Sequence, residues 1–275
     1  MKRFFSTVKE LILEKKFMIP IYGGVVGLFS FFIIAILEDL DLQSLDDILT
    51  ALGGFEELLD FFGGLAVMSN PYGFWSLEIL SFIWLYVGIY LIFMASSILS
   101  HEVENKTIDL SLSKPISRHN FLGSKITFLY VFIMIVIGII FLISLGSMAG
   151  SSQFRTEGIY IDRLVVTYFS VVLFLGALAM VAIFFSTIFL STKKSAALGV
   201  LVLMIMFFLG EFYIYMDEAI QGIRYLSIFN YYNPVDYLVN ADFDLFTYDM
   251  LVLGVINGIL IIGSLFVFSK KDIPN

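Results

Sequence analysis

The hydrophobic positions of this chain form long apolar runs separated by shorter polar segments. A helix needs about 20 apolar residues to cross a bilayer, so uncharged runs of this length predict membrane spans. We therefore predict an all-α membrane protein, with residues 1–275 forming a single transmembrane domain built as a six-helix bundle. The predicted spans cover about 19–37, 77–99, 126–148, 164–190, 196–216 and 250–268.

Residues 1–18 carry a different pattern, with apolar side chains on one helical face and basic ones on the other. The apolar face is formed by Phe4, Phe5, Val8, Leu11 and Ile12. Such a helix lies in the membrane interface, with its lysines near anionic lipid headgroups. We predict an N-terminal interfacial amphipathic helix. The alternative is the start of a signal peptide, which the long apolar run that follows and the lack of a small-residue cleavage site both disfavour.

Composition supports a membrane protein, because 59% of residues are hydrophobic and only 15% are charged. A soluble domain of 275 residues would need more charge to cover its surface. The absence of cysteine excludes disulfides, thiolate catalysis and cysteine-bound metals. The net charge of -8 is unfavourable to nucleic acid, and we predict no nucleic-acid partner.

The distribution of basic residues predicts the orientation. If the N-terminus is inside, only Arg155, Arg163 and Arg224 of the 16 lysines and arginines fall in outer segments. Because basic loops stay in the cytoplasm, both termini are predicted to be cytoplasmic, in a multi-pass protein of the plasma membrane. Residues 38–76 then form an acidic outer segment, which we expect to contain a short amphipathic helix, and residues 100–125 form the long cytoplasmic loop.

Sequence signals for catalysis are missing. The chain has no G-x-x-x-x-G-K-[ST] phosphate loop and so does not bind ATP by that device. His101 and Glu102 begin a zinc-helix pattern, but Asn105 replaces the second histidine. We predict no catalytic residue and no metal site. Glu211, late in the fifth span, is a candidate pathway residue, although an acid at the outer interface is the simpler interpretation.

The cytoplasmic loop is the most informative polar segment. Its first part is compatible with a short helix, and Pro115 ends it, because the residue before proline avoids the helical region. Ser117 is a suitable N-cap for a helix that continues into the third span. A short helix held between two rigid spans suits the transfer of force from a soluble partner. A solvated connector with a proline turn is the alternative.

This loop resembles the signature of ABC-2 type transporter permeases, the transmembrane subunits of six-span ABC exporters. That signature has a glutamate after the second span, a Gly/Lys-Thr pair, leucines, a Pro-Ile-Ser-Arg-like turn and a Gly-x-Lys that opens the third span. An Asn-Pro pair in the last outer loop, Asn233-Pro234, is also similar. One departure is Lys106, where glycine is common. The residues that the resemblance implies in ATPase coupling are Glu102, Glu104, Lys106, Thr107, Ile108, Leu110, Pro115, Ile116, Ser117 and Arg118.

The resemblance implies a permease that works beside a second, identical or paralogous, permease chain in membrane lipid. It also implies separate ABC ATP-binding subunits that hold ATP and Mg, so this chain would need no cofactor and would not be an enzyme. The implied substrate is amphiphilic or hydrophobic and is exported. A secondary carrier and a membrane-embedded structural or signalling subunit are the alternatives.

Overall fold

The computed structural model describes residues 2–39, 65–106 and 117–271. Within these ranges the regular structure is helical, and six helices are long and apolar enough to cross a membrane. The predicted all-α membrane bundle is therefore confirmed. The spans, numbered 1 to 6 in chain order, are Met18–Asp39, Pro71–Glu104, Arg118–Gly150, Ile161–Phe189, Thr192–Glu211 and Phe243–Lys270.

Shorter elements connect and precede the spans. The N-terminal helix is Lys2–Glu14, and the short helices Leu65–Met68 and Ser152–Glu157 lie between spans. Span 2 opens with the α-helix Pro71–Trp75, passes through the π-helical segments Ser76–Leu80 and Trp84–Gly88, and closes with the α-helix Ile89–Glu104. Between spans 5 and 6 lie the 3₁₀ segments Tyr213–Tyr215, Glu218–Leu226 and Phe229–Tyr231 and the π-helical segment Asp236–Asn240.

Span 2 begins six residues before its predicted start because Asn70 caps it. The Asn70 Oδ1 atom accepts hydrogen bonds from the backbone N–H groups of Tyr72 at 2.9 Å and Gly73 at 3.3 Å. Pro71 occupies the first helical turn, where its missing N–H costs nothing. The sequence Asn-Pro-Tyr-Gly suggests a turn but here starts a helix.

Span 5 ends earlier than predicted. Its α-helix stops at Glu211, whereas the apolar pattern continued to residue 216, and a short 3₁₀ turn follows. The helix predicted within the acidic outer segment falls on residues 40–64, outside the described ranges. The predicted coupling helix likewise falls largely on residues 107–116, outside them.

The N-terminal helix packs on the beginning of span 3. Val8 is buried, and the Phe4 ring lies against Gly123, the residue that precedes Ser124 and Lys125 at the end of the predicted loop. Phe5, on the same apolar stripe but turned away from span 3, remains 63% exposed. The apolar stripe is thus partly used for packing on the bundle, and its exposed part is compatible with the predicted place of the helix in the lipid interface.

Span 4 is the centre of the bundle, since it contacts spans 2, 3, 5 and 6 and is the most completely buried of the six. Span 1 packs mainly on span 3. Gly27 makes this approach close, because a Cβ there would come within 2.5 Å of the Ile143 side chain. Small residues serve the same purpose at many membrane helix interfaces, where close packing supplies the stability.

Contacts between spans define two ends of the bundle. At one end Glu104 of span 2 binds Thr192 of span 5, and we call this the proximal end. At the opposite, distal end, Glu38 of span 1 accepts hydrogen bonds from Ser151 and Ser152 after span 3. The predicted coupling loop belongs to the proximal end, and Glu211 belongs to the distal end.

Candidate coupling site

The structure describes half of the residues predicted to couple the permease to an ATPase. Glu102, Glu104 and Lys106 lie at the end of span 2, and Ser117 and Arg118 lie at the start of span 3. The other predicted coupling residues lie outside the described ranges: Thr107, Ile108, Leu110, Pro115 and Ile116. The described residues form the two stems of the loop.

Glu102 ties the two stems together. Its Oε1 atom is 2.5 Å from the ammonium of Lys125, a side chain that is only 1% exposed. The Lys125 ammonium also donates to the backbone carbonyl of Ile98 and lies 4.7 Å from the centre of the Phe121 ring. A buried ammonium is costly unless it is paired and hydrogen-bonded. This cation is satisfied by groups from both stems and fixes their separation.

Lys125 was not among the predicted site residues. In the sequence it is the lysine of the Gly-x-Lys that opens the third span in the signature described above, and it stands at the start of an apolar run, a position typical of a charge at the cytoplasmic interface. That match is the signal that could have marked Lys125 as a site residue, but the sequence does not reveal its partner Glu102 on the preceding span.

Glu104 reaches a different helix. Its Oε1 atom accepts the backbone N–H of Thr192 and its Oε2 atom accepts the Thr192 hydroxyl, both at 2.9 Å. A carboxylate at a helix start satisfies otherwise unpaired N–H groups and interacts favourably with the helix dipole. Glu104 therefore caps span 5 from the end of span 2 and links the first stem directly to span 5.

Arg118 connects the second stem to the end of span 6. Its Nη1 atom donates to the carbonyl of Lys271 at 2.7 Å and to that of Ser269 at 3.4 Å. The Lys271 ammonium in turn donates to the carbonyl of Ile188 at the end of span 4. Ser117 accepts the backbone N–H of Asn120, so its predicted N-cap is confirmed.

Lys106 has a left-handed backbone, with φ of 56°. This conformation costs a residue with a side chain roughly 1–2 kcal/mol but is nearly free for glycine. This left-handed backbone explains why glycine is common at the corresponding position of the signature described above. The chain turns sharply here, directly after span 2.

The described residues contain no cluster of three or more His, Asp or Glu side chains that could hold a metal. The zinc-helix pattern is used differently, since the His101 Nε2 atom lies 2.9 Å from the Asn105 Nδ2 atom. These two side chains hydrogen-bond each other at the end of span 2.

The distal end carries a second polar cluster, on the loop between spans 5 and 6. Asp249 is buried in span 6 and accepts hydrogen bonds from the Tyr237 hydroxyl at 2.6 Å and the Asn233 amide at 2.8 Å. Burial raises the pKa of the Tyr237 phenol, which stays protonated and able to donate. Asn233, of the Asn-Pro pair, thus anchors its loop to span 6.

Glu211 also lies at the distal end, where it lines a cavity with aromatic rings. The candidate pathway residue is therefore part of a defined concave site rather than of a flat surface. The structure keeps it far from the coupling residues, which lie at the proximal end.

Comparison with known families gives one match. The sequence model of the family described as "ABC-2 family transporter protein" matches residues 15–273. The chain belongs to this family. The match extends over all six spans of this ABC-2 permease and over the loop whose sequence carried the resemblance.

Family membership defines the protein as a transmembrane permease of an ABC transporter, which works with ABC ATP-binding subunits. In this family ATP hydrolysis belongs to those separate subunits. No curated protein and no solved structure matched the ABC-2 permease.

Proposed function

We propose that this permease exports an amphiphilic or hydrophobic substrate across the plasma membrane, driven by ATP-binding subunits that dock on residues 100–125. The observation that carries the proposal is the bonding of both loop stems to other spans. Glu102 joins the stems, Glu104 holds span 5, and Arg118 holds the end of span 6. A force applied to the loop would therefore reach four spans through short polar contacts.

The mechanism follows from these contacts. Two permease chains, identical or paralogous, enclose the pathway, and two ATP-binding subunits lie beneath their loops. When ATP draws those subunits together, the loops move with them. Because Glu104 and Arg118 link the stems to spans 5 and 6, this movement tilts the helices that border the pathway. This chain supplies no group to hydrolysis and needs no ATP or Mg of its own.

The charged residues of the spans favour this function over a secondary carrier. A carrier driven by ions or protons usually has ionisable groups near the membrane midplane. In the described spans, the acidic and basic residues lie toward the helix ends, as Lys125 and Asp249 do. An energy source outside the membrane fits this distribution.

Copurification with the cognate ATP-binding subunit tests the proposal. Ile108→Asp and Leu110→Asp should abolish docking or leave ATP hydrolysis uncoupled from transport, because apolar anchors dominate such interfaces. Pro115→Ala should keep docking and reduce coupling. Correct insertion must be verified for each variant. Normal docking and normal transport by both aspartate variants would refute the coupling role.

A further inference from the structure

A cavity of about 100 Å³ lies at the distal end of the bundle, between spans 2 and 5 and the loop that precedes span 6. Its walls include the rings of Phe207, Phe229 and Tyr232, and its polar lining includes Glu211 and Ser81. It is smaller than the 300–1,000 Å³ that is typical for a drug-sized ligand. Its size suits a headgroup rather than a whole amphiphile.

Glu211 has the properties expected of a carboxylate that binds a cation. It is the last residue of span 5, where the helix dipole is negative and a carboxylate is unfavourable. It is partly buried, and among residues 2–39, 65–106 and 117–271 no side chain forms an ion pair or hydrogen bond with its carboxylate. A carboxylate removed from water in this way is stabilised by an opposite charge.

The arginines described at the distal end are engaged elsewhere. Arg224 lies 4.6 Å from the Tyr213 ring centre and donates to the Tyr225 hydroxyl. Arg163 donates to the carbonyls of Leu238 and Val239. Arg155 donates to the carbonyls of Gly150 and Ser151. None of the three neutralises Glu211, so the cation would come from outside the described chain.

The aromatic walls are held in place by further rings. Phe207 and Phe229 lie 4.7 and 5.9 Å from the Trp84 ring, and Tyr232 stacks on Phe174 at 4.2 Å. Ring faces attract cations, and aromatic cages of this kind recognise quaternary ammonium groups. The π-helical segments of span 2 flank Ser81, and such segments are frequent at functional sites.

We propose that this cavity binds the cationic headgroup of an amphiphile, a quaternary ammonium or a similar organic cation. The inference rests on the proposed function and adds the substrate class. The carboxylate of Glu211 supplies the charge, the three rings supply cation–π contacts, and the apolar tail of the ligand remains in the adjoining lipid.

Binding of radiolabelled dodecyltrimethylammonium to the purified full-length permease tests the proposal without the ATP-binding subunit. Dodecyl maltoside micelles provide an uncharged background. A neutral analogue with a tert-butyl group in place of trimethylammonium has the same shape without the charge, and we expect it to bind about tenfold more weakly. Equal affinities would overturn the proposal, and this comparison needs no variant.

Two variants and a control locate the site. Glu211→Gln, which keeps the side-chain shape, should remove most of the preference for the cation, and Phe207→Leu should reduce it several-fold. Asp162→Asn, at an exposed acid on span 4, should leave binding unchanged. Unaltered cation binding by Glu211→Gln would identify Glu211 as a solvated interfacial acid and overturn the inference.

Phosphatidylcholine distinguishes two sources of the same headgroup chemistry. If it displaces the probe, the occupant is a lipid headgroup, and if it does not, the occupant is a soluble amphiphile. Both outcomes support a cation site. A permease that docks and activates its ATPase but does not bind the probe would refute this inference alone, whereas one that binds the probe but no ATPase would refute the coupling proposal alone.

Discussion

Lys125 is a buried cation whose stability depends on a residue of the other stem. Removing one partner of such a pair leaves an uncompensated charge, which costs about 3–5 kcal/mol for a fully buried pair, whereas replacing both can be nearly neutral. Glu102 retains 27% of its side-chain exposure, so the cost here should fall at or somewhat below the bottom of that range. The pair is therefore a sensitive point for mutation.

We expect Glu102→Gln to lower the thermal unfolding midpoint of the detergent-solubilised permease, because the free energy of unfolding falls by about 2–3 kcal/mol. The double variant Glu102→Gln with Lys125→Met should regain most of that loss, because no unpaired ammonium remains. Thermal unfolding of both variants in the same micelles measures the difference. If the single and double variants unfold together, the pair does not act as a unit.

The sequence named Glu102 and Glu104 as candidates but not Lys125, and it did not show where their side chains bind. The acids of the loop look like solvated charges, because their partners are remote: Lys125 is 23 residues from Glu102, and Thr192 is 88 residues from Glu104. Local patterns predict caps within a helix, such as Ser117, and do not predict a cap donated by another span. Glu211 was recognised, but its aromatic surroundings come from three separate segments.

At the scale of the elements, the apolar stripe of the N-terminal helix is divided between a buried part and an exposed part, which we expect to have different tasks. Val8 packs against the bundle and Phe5 is exposed. Periodicity placed both on one apolar stripe and could not separate them, since the division depends on where span 3 lies. The six spans do not depend on their neighbours in this way. The length of the apolar runs predicted them because the bilayer sets the length of each helix independently.

Val8→Asp and Phe5→Asp should separate these tasks. Val8→Asp buries a charge against span 3 and should lower the unfolding midpoint of the solubilised permease. Phe5→Asp should leave that midpoint unchanged but release the helix from the bilayer. A cysteine at Glu10, reacted with a water-soluble thiol reagent in liposomes, measures the release. Equal effects of the two variants in both assays would show that the helix has no separate membrane face.

For the whole molecule, the two ends of the bundle differ in composition. The proximal end holds the loop stems and most of the basic residues, and the distal end holds Asp249, Glu211 and the described loops between spans 3 and 4 and between spans 5 and 6. On the positive-inside rule we propose that the proximal end is cytoplasmic.

Because the chain has no cysteine, single cysteines can test this orientation directly. Cysteines at Asp46, Glu157 and Gln221 should react with an impermeant thiol reagent in intact cells, and one at Asn105 should react only after permeabilisation. Labelling of each variant in permeabilised cells controls for expression. Reaction at Asn105 in intact cells would reverse the topology and place the coupling loop outside.

Arg118 has a consequence for synthesis of the chain. Arg118 binds the backbone carbonyls of Ser269 and Lys271, which follow it in the chain by 151 and 153 residues. Ribosomes add about 5–20 residues per second, so these acceptors emerge roughly 8–30 seconds after the arginine. The bond between the second stem and span 6 can therefore form only when translation has delivered the last helix. If the ATP-binding subunit docks on these stems as proposed, an unfinished permease would offer it a surface that lacks this bond.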